Sequence, residues 1–351
     1  PAGVVAAEVE VVGTGAAPEA IETSPIMYDL LFESAWRGAQ AFDDVAGWVR
    51  GWAARRYATF GVTTPAAALE AWVRLLDGPL GTTRVQEGPV ASILAARPAP
   101  ALPQVSCCDR SDLGYDPQVV LDAWRMLLSA GASGTLAAQP TFLHDVADIG
   151  IQALSNLALA AHKGAAGAMR EGNLTAFRAA AGRLLSIIDD AESLAATQEG
   201  RLLGQWIATA RACATDESGA EARAAAALAG EGNAASSALA LADLYERNAR
   251  NLISLWGGPT SRLHEYSYRL WGGMIRTFYR PRWAKWLADV EAAMAAGERF
   301  NQSRFEVDIE QWEYAWGQQT GVDLPTTPSG GALQLAEAVH ARHFGEVWSG
   351  A

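Results

Sequence analysis

Apolar residues recur every three or four positions through most of this chain, and one short N-terminal segment breaks the rule. From about residue 41 the pattern predicts successive amphipathic helices over 43–57, 65–76, 117–130, 141–169, 175–195 and 202–214, with more after residue 233. A further helix is expected to run through Arg269, Trp271, Gly273 and Tyr279 into Arg282 and Trp283. Ahead of these, residues 4–12 are Val-rich and barely alternate, which suits a strand buried on both faces, and they end in Gly13-Thr14-Gly15. After Pro25, the apolar positions Ile26, Leu30, Leu31 and Trp36 return to helical spacing, with Ser24 placed to cap. Pro and Gly clustered between residues 78 and 103 predict a long surface connection. The Ala, Gly, Glu and Ser of 215–238 predict a solvated insertion or a loose helical hairpin.

A strand followed by a helix is the repeating unit of a (β/α) barrel. One strand cannot make a sheet, because its backbone donors and acceptors would lack partners. The expected fold is therefore mainly α: an all-helical C-terminal domain over 41–351, preceded over 1–40 by the last strand-helix segment of a truncated (β/α)8 barrel. The chain starts at Pro1 with no initiator Met. Its natural start, including any signal peptide, is expected to lie upstream, which leaves secretion or periplasmic export open.

Composition narrows the partners. Half of the 351 residues are hydrophobic, enough for one large core or two moderate ones. A formal charge of −12 argues against nucleic acid, whose binding draws on Lys and Arg. No apolar run approaches the roughly 18 to 20 residues of a membrane span. Three cysteines, two of them adjacent at Cys107 and Cys108, give neither a disulfide framework nor a metal spacing, and they read as inert thiols. His340 and His343 stand three apart without further ligands, so a solvated pair is expected rather than a metal site. Asp145 and Asp148 read as charges favoured near a helix start. No phosphate-cradling loop, nucleophile elbow or dinucleotide fingerprint appears, and no cofactor is expected.

Two regions could carry chemistry. Glu19 lies just beyond the end of the expected strand, where barrel enzymes collect catalytic groups; by pattern alone a solvated loop residue or a helix-start charge is the favoured reading. The second region runs from Trp256-Gly257-Gly258-Pro259 through Leu263-His264-Glu265-Tyr266 and is dense in aromatics. Aromatic faces stack on the apolar face of a pyranose while hydroxyl and guanidinium groups bond its oxygens, so a sugar is the natural ligand. Trp271, Trp283 and Trp286 are expected to be core instead.

The run from Gly13 through Glu19 to Ile21, with Tyr28-Asp-Leu-Leu-Phe32 and Trp36, resembles the nucleophile-bearing segment of the α-N-acetylglucosaminidases of glycoside hydrolase family 89. Trp52-Ala-Ala-Arg-Arg-Tyr57, 145–152, Leu203-Gly-Gln-Trp206, 245–283 and 300–316 resemble that family's all-helical C-terminal domain. The resemblance implies a retaining exo-glycosidase that removes terminal α-linked N-acetylglucosamine from glycans. In it Glu19 is the nucleophile, Trp256 and Tyr266 contact the sugar, and the acid/base lies in barrel sequence before this chain. The rest of that barrel is then an obligatory partner, and the isolated chain is expected to be inactive. Three departures from the family pattern stand out: Ile151 in place of Arg after the two aspartates, Ala16 in place of Met before the nucleophile, and a long 215–238 segment. A rival reading is a noncatalytic helical module that binds carbohydrate or protein, with Glu19 incidental.

Overall fold

The computed structural model describes residues 13, 15–17, 24–37, 43–58, 61, 63–82, 92–106, 110–216 and 234–345. The expected strand over 4–12, Glu19, Cys107 and Cys108 lie outside the described residues. Among those described the protein is mainly helical, and β-type pairing is confined to two isolated bridges. No described helix is long and apolar enough to cross a membrane.

Among the described residues eleven α-helices follow in order: α1 Pro25–Arg37, α2 Val45–Arg56, α3 Ala66–Arg74, α4 Gln118–Ala132, α5 Pro140–Arg170, α6 Leu174–Ala195, α7 Leu203–Asp216, α8 Ala234–Leu252, α9 Arg280–Ala295, α10 Gln302–Gly317 and α11 Ala332–Phe344. The starts and stops have local causes. Asp44, Asn173 and Asn301 accept the backbone N–H of Gly47, Ala176 and Arg304, closing the first turns of α2, α6 and α10. Pro140 opens α5, where its missing N–H leaves no bond unmade. The turn between α5 and α6 needs a left-handed residue, and Gly172 supplies it at φ 68°.

α5 and α6 form the central antiparallel pair, with α4, α9 and α11 packed around it and α3 on α4. One continuous core runs from Val49 and Trp52 through Trp124, Phe142 and Leu154 to Trp283, Trp286 and Val339. Trp271, Trp283 and Trp286 are all buried in it.

Two expectations give way. The 78–103 connection is not a surface loop throughout: Leu94, Ala95 and Ala96 are fully buried. Their carbonyls can enter the core because Trp283 Nε1 donates to Leu94 O at 3.1 Å and Arg282 Nη2 donates to Ala95 O. The helix expected through 269–273 is also absent. Gly272 pairs with Leu202 as a short parallel bridge, and a Cβ at Gly272 would sit 2.8 Å from Ala196 Cα. Gly273 then turns left-handed at φ 89°, and regular coiling resumes only through a π-turn at Ile275–Tyr279.

α1 is amphipathic in the reverse sense. Its polar side faces the domain: Trp52 Nε1 donates to Asp29 and Trp48 Nε1 to Glu33, each at 2.5 Å. Its apolar side, Met27, Leu31, Phe32 and Trp36, faces outward, with Trp36 92% exposed.

Candidate functional site

The segment joining α8 to the π-turn is held by its own backbone and by three small polar side chains. The Asn251 carbonyl accepts the N–H of Trp256 at 2.7 Å. The Asn251 side chain grips Gly257 from both ends, its Nδ2 donating to the Gly257 carbonyl at 2.7 Å and its Oδ1 accepting the Gly257 N–H at 2.9 Å. Ser254 Oγ donates to Arg250 O at 2.7 Å, and Ser261 Oγ accepts from Leu263 N at 3.1 Å. Across the loop, Glu265 N–H donates to Ser254 O at 2.7 Å. That bond draws the two arms together where Trp256 and Tyr266 meet, with ring centroids 5.2 Å apart and planes inclined by 59°. Trp256 is 39% exposed and Tyr266 half-buried.

This loop holds both described non-glycine residues with positive φ, Trp256 at 44° and Glu265 at 62°. Such conformations cost on the order of 1–3 kcal/mol each and persist only where surroundings enforce them, characteristically at ligand clamps. For Glu265 the enforcement is visible. Its carboxylate is completely buried against Arg282 Nη1 at 2.5 Å, and Arg282, equally buried, also donates to Glu313 Oε1 at 2.8 Å. The guanidinium lies over the rings of Phe278 and Tyr279, 4.9 and 5.3 Å from their centroids. Arg97 adds a second cation, reaching Glu313 at 2.6 Å and Glu310 at 3.1 Å.

Three carboxylates thus share two guanidiniums, and ionising all three would leave one negative charge in excess. Burial, reinforced by the charge of Glu313, pushes the Glu265 carboxyl up to about 7 against the pull of Arg282. Glu313 is held below the ordinary range because Arg282 and Arg97 outweigh its own burial. Arg282 stays firmly charged: burial opposes it, but Glu265 and Glu313 prevail. Tyr279 is raised by burial and by the charge of Glu265. His264, beside the cluster, is lowered to about 4 by burial and by Arg97.

A pH dependence follows. The native state holds the Glu265 proton up to about pH 7, whereas an unfolded Glu releases it near 4.5. Between those values the native state binds more protons, so rising pH removes stability. His264 titrates oppositely over part of this window, so the measurement is a difference. Glu265→Gln, with no proton to lose, should gain on wild type by about 2–3 kcal/mol between pH 4.5 and 7. Denaturant melts of both proteins across that range check it; a constant difference would show that Glu265 is already ionised at pH 5.

The other polar residues singled out in the sequence act as ties. Asp145, nearly buried, accepts from Arg56 at 2.6 and 2.7 Å and from Tyr57 Oη at 2.7 Å, and Trp72 Nε1 donates to the same hydroxyl. Asp148 pairs with Arg201. Both aspartates therefore join α5 to distant segments instead of simply serving its dipole, and Ile151 occupies the core at 2% exposure. His340 and His343 are not a solvated pair. His340 is fully buried and bonded by Arg125 Nε at 3.2 Å, while His343 meets Asp190 at 2.7 Å. Among the described residues no three His, Cys, Asp or Glu side chains are grouped to hold a metal.

Two recesses flank the 99–112 segment. One, of about 480 Å³, lies between that segment and α5, is floored by Leu102, Leu159 and Ala166, and contains no aromatic residue other than His162. The other, of about 340 Å³, is walled by Arg97, Gln104, Ser106, His264, Glu306 and Glu310. Neither includes Trp256 or Tyr266.

This helical fold is shared with part of solved glycoside hydrolases. Solved structures of a Family 89 Glycoside Hydrolase from Clostridium perfringens superpose on it with a TM-score of 0.77 at 28% identity, covering 94% of this chain and 34% of theirs. They hold 2-acetamido-1,2-dideoxynojirmycin in one case and PUGNAc in another. A form of the Clostridium perfringens protein with two Glu-to-Gln substitutions, in complex with its substrate GlcNAc-alpha-1,4-galactose, gives a TM-score of 0.76 at 28% identity, covering 93% of this chain and 34% of that one. The human alpha-N-acetylglucosaminidase is 30% identical over 335 residues, 95% of this chain and 40% of the human protein. Residues 48–342 match the family described as Alpha-N-acetylglucosaminidase (NAGLU) C-terminal domain, and the chain belongs to that family. It spans well under half the length of these relatives.

Proposed function

We propose that this chain is the C-terminal part of a retaining exo-glycoside hydrolase that removes terminal α-linked N-acetylglucosamine, and that Trp256 and Tyr266 form part of its sugar pocket. The observation that carries the proposal is the contact of exposed Trp256 with half-buried Tyr266 on a strained, doubly pinned loop. It is supported by membership of the C-terminal domain family and by the substrate named for the Clostridium perfringens relative. Trp256 offers an accessible ring face for the apolar side of a pyranose, and the Tyr266 hydroxyl offers a directional bond to a ring substituent.

Glu19 is the nucleophile in this reading. It attacks the anomeric carbon to form a glycosyl ester, while a second carboxyl about 5 to 5.5 Å away protonates the leaving oxygen and then activates water. That acid/base belongs to barrel sequence preceding this chain, and residues 1–40 supply the last strand-helix portion of the same barrel. The outward apolar side of α1 supports such an arrangement, since Met27, Leu31, Phe32 and Trp36 form one stripe that another element can cover. No metal or cofactor takes part in the steps described.

Trp256→Ala in the full-length enzyme is expected to weaken sugar binding by about 1–3 kcal/mol, seen as a 5- to 150-fold rise in KM with a smaller change in kcat. Unaltered KM for an α-N-acetylglucosaminide would remove Trp256 from the pocket.

A further inference from the structure

Glu265 is completely buried and is held away from solvent by Arg282, yet its backbone sits immediately before Tyr266 in the left-handed region that glutamate rarely occupies. Its N–H closes the loop onto Ser254, two residues before Trp256. Its carboxylate is anchored from outside the loop, through Arg282 at the start of α9 and Glu313 in α10. The strained turn and the aromatic contact are therefore one mechanical unit, with the buried Glu265–Arg282 contact as its fixed point. We infer that Glu265 is a positioning residue: its buried pairing with Arg282 holds the left-handed turn that sets Tyr266 against Trp256, so sugar recognition depends on a side chain that never meets the sugar.

The inference rests on the reading that Trp256 and Tyr266 face the sugar, but its geometric half can be tested without any ligand. A carboxylate that merely filled space would be missed equally in any truncation. A carboxylate that holds a strained backbone would be missed less when the backbone is freed of strain. Glycine adopts a φ of 62° without penalty and alanine does not, while both remove the partner of Arg282. The two truncations separate the roles.

The probe is 3-fluorotyrosine incorporated at position 266 of the 351-residue chain, read by fluorine NMR. Trp256→Leu first gives the resonance position without the neighbouring indole ring current. Glu265→Ala is expected to move the resonance most of the way to that position, and Glu265→Gly to leave it near the wild-type value. In the full-length enzyme, Glu265→Ala is expected to raise KM about tenfold or more with kcat within about threefold, and Glu265→Gly to stay within about threefold in KM. An unmoved resonance in folded Glu265→Ala, or equal displacement in both variants, overturns the inference. If Glu265→Ala does not fold, Arg282→Lys takes its place. It keeps the cation but loses the fork, so the resonance should move, and it should move back in the Arg282→Lys, Glu265→Gly double variant. Failure to move back again overturns the inference. A null effect of Trp256→Ala on KM with the expected fluorine shifts would instead leave the turn mechanism standing and refute the sugar pocket.

Discussion

Glu19→Gln in the full-length enzyme is expected to abolish turnover while leaving the fold and the substrate affinity close to wild type. The amide nearly matches the carboxylate in shape but cannot form a glycosyl ester, so the loss falls on kcat far more than on binding. A carboxylate outside the core, as the sequence leads one to expect of Glu19, adds little to folding, and stability should change by less than about 1 kcal/mol. Truncation allows a sharper experiment. In Glu19→Ala the vacated face of the sugar is open to a small anion, so added azide should restore part of the reaction and yield the β-configured glycosyl azide. Wild-type turnover in Glu19→Gln, or only α-configured azide from Glu19→Ala, would show that another group is the nucleophile.

The second large effect concerns stability. Arg282→Met is expected to destabilise the protein by about 3–5 kcal/mol, because it leaves Glu265 without its cation, Glu313 with only Arg97, and the Ala95 carbonyl without its donor. Much of that cost is uncompensated negative charge. The triple variant Arg282→Met, Glu265→Gln, Glu313→Gln should therefore recover more than half of it, and the single and triple variants together isolate the charge contribution. Chemical denaturation at pH 7 measures both. A single variant that melts within about 0.5 kcal/mol of wild type would mean that the three side chains are not a coupled cluster in solution.

The helices were legible because each buries one stripe, and a stripe can be read one residue at a time. Residues 43–57 and 141–169 were placed within a few positions of Val45–Arg56 and Pro140–Arg170. The failures depend on neighbours far away in the chain. Nothing local marks Gly272 as lying against Ala196, or Ala95 as lending its carbonyl to a guanidinium 187 residues on. The aromatic content of 256–266 was visible, and the family resemblance singled out Trp256 and Tyr266 within it. Their contact was not, because it is made by the Ser254 to Glu265 bond and by Asn251, a residue that looks like an ordinary helix-end amide. Glu265 had one clue, a charge set between hydrophobic and aromatic neighbours, but its partner Arg282 stands 17 residues later.

α1 carries a consequence for handling the protein. A helix that spends its charges on its own domain and turns Met27, Leu31, Phe32 and Trp36 to solvent is a hydrophobic handle on an otherwise acidic particle. In dilute solution the net charge keeps such particles apart, and salt removes that protection. Colloidal behaviour of the 351-residue chain should then hinge on a few side chains: light scattering should rise with ionic strength, a polarity-sensitive dye should bind, and Trp36→Glu should suppress both.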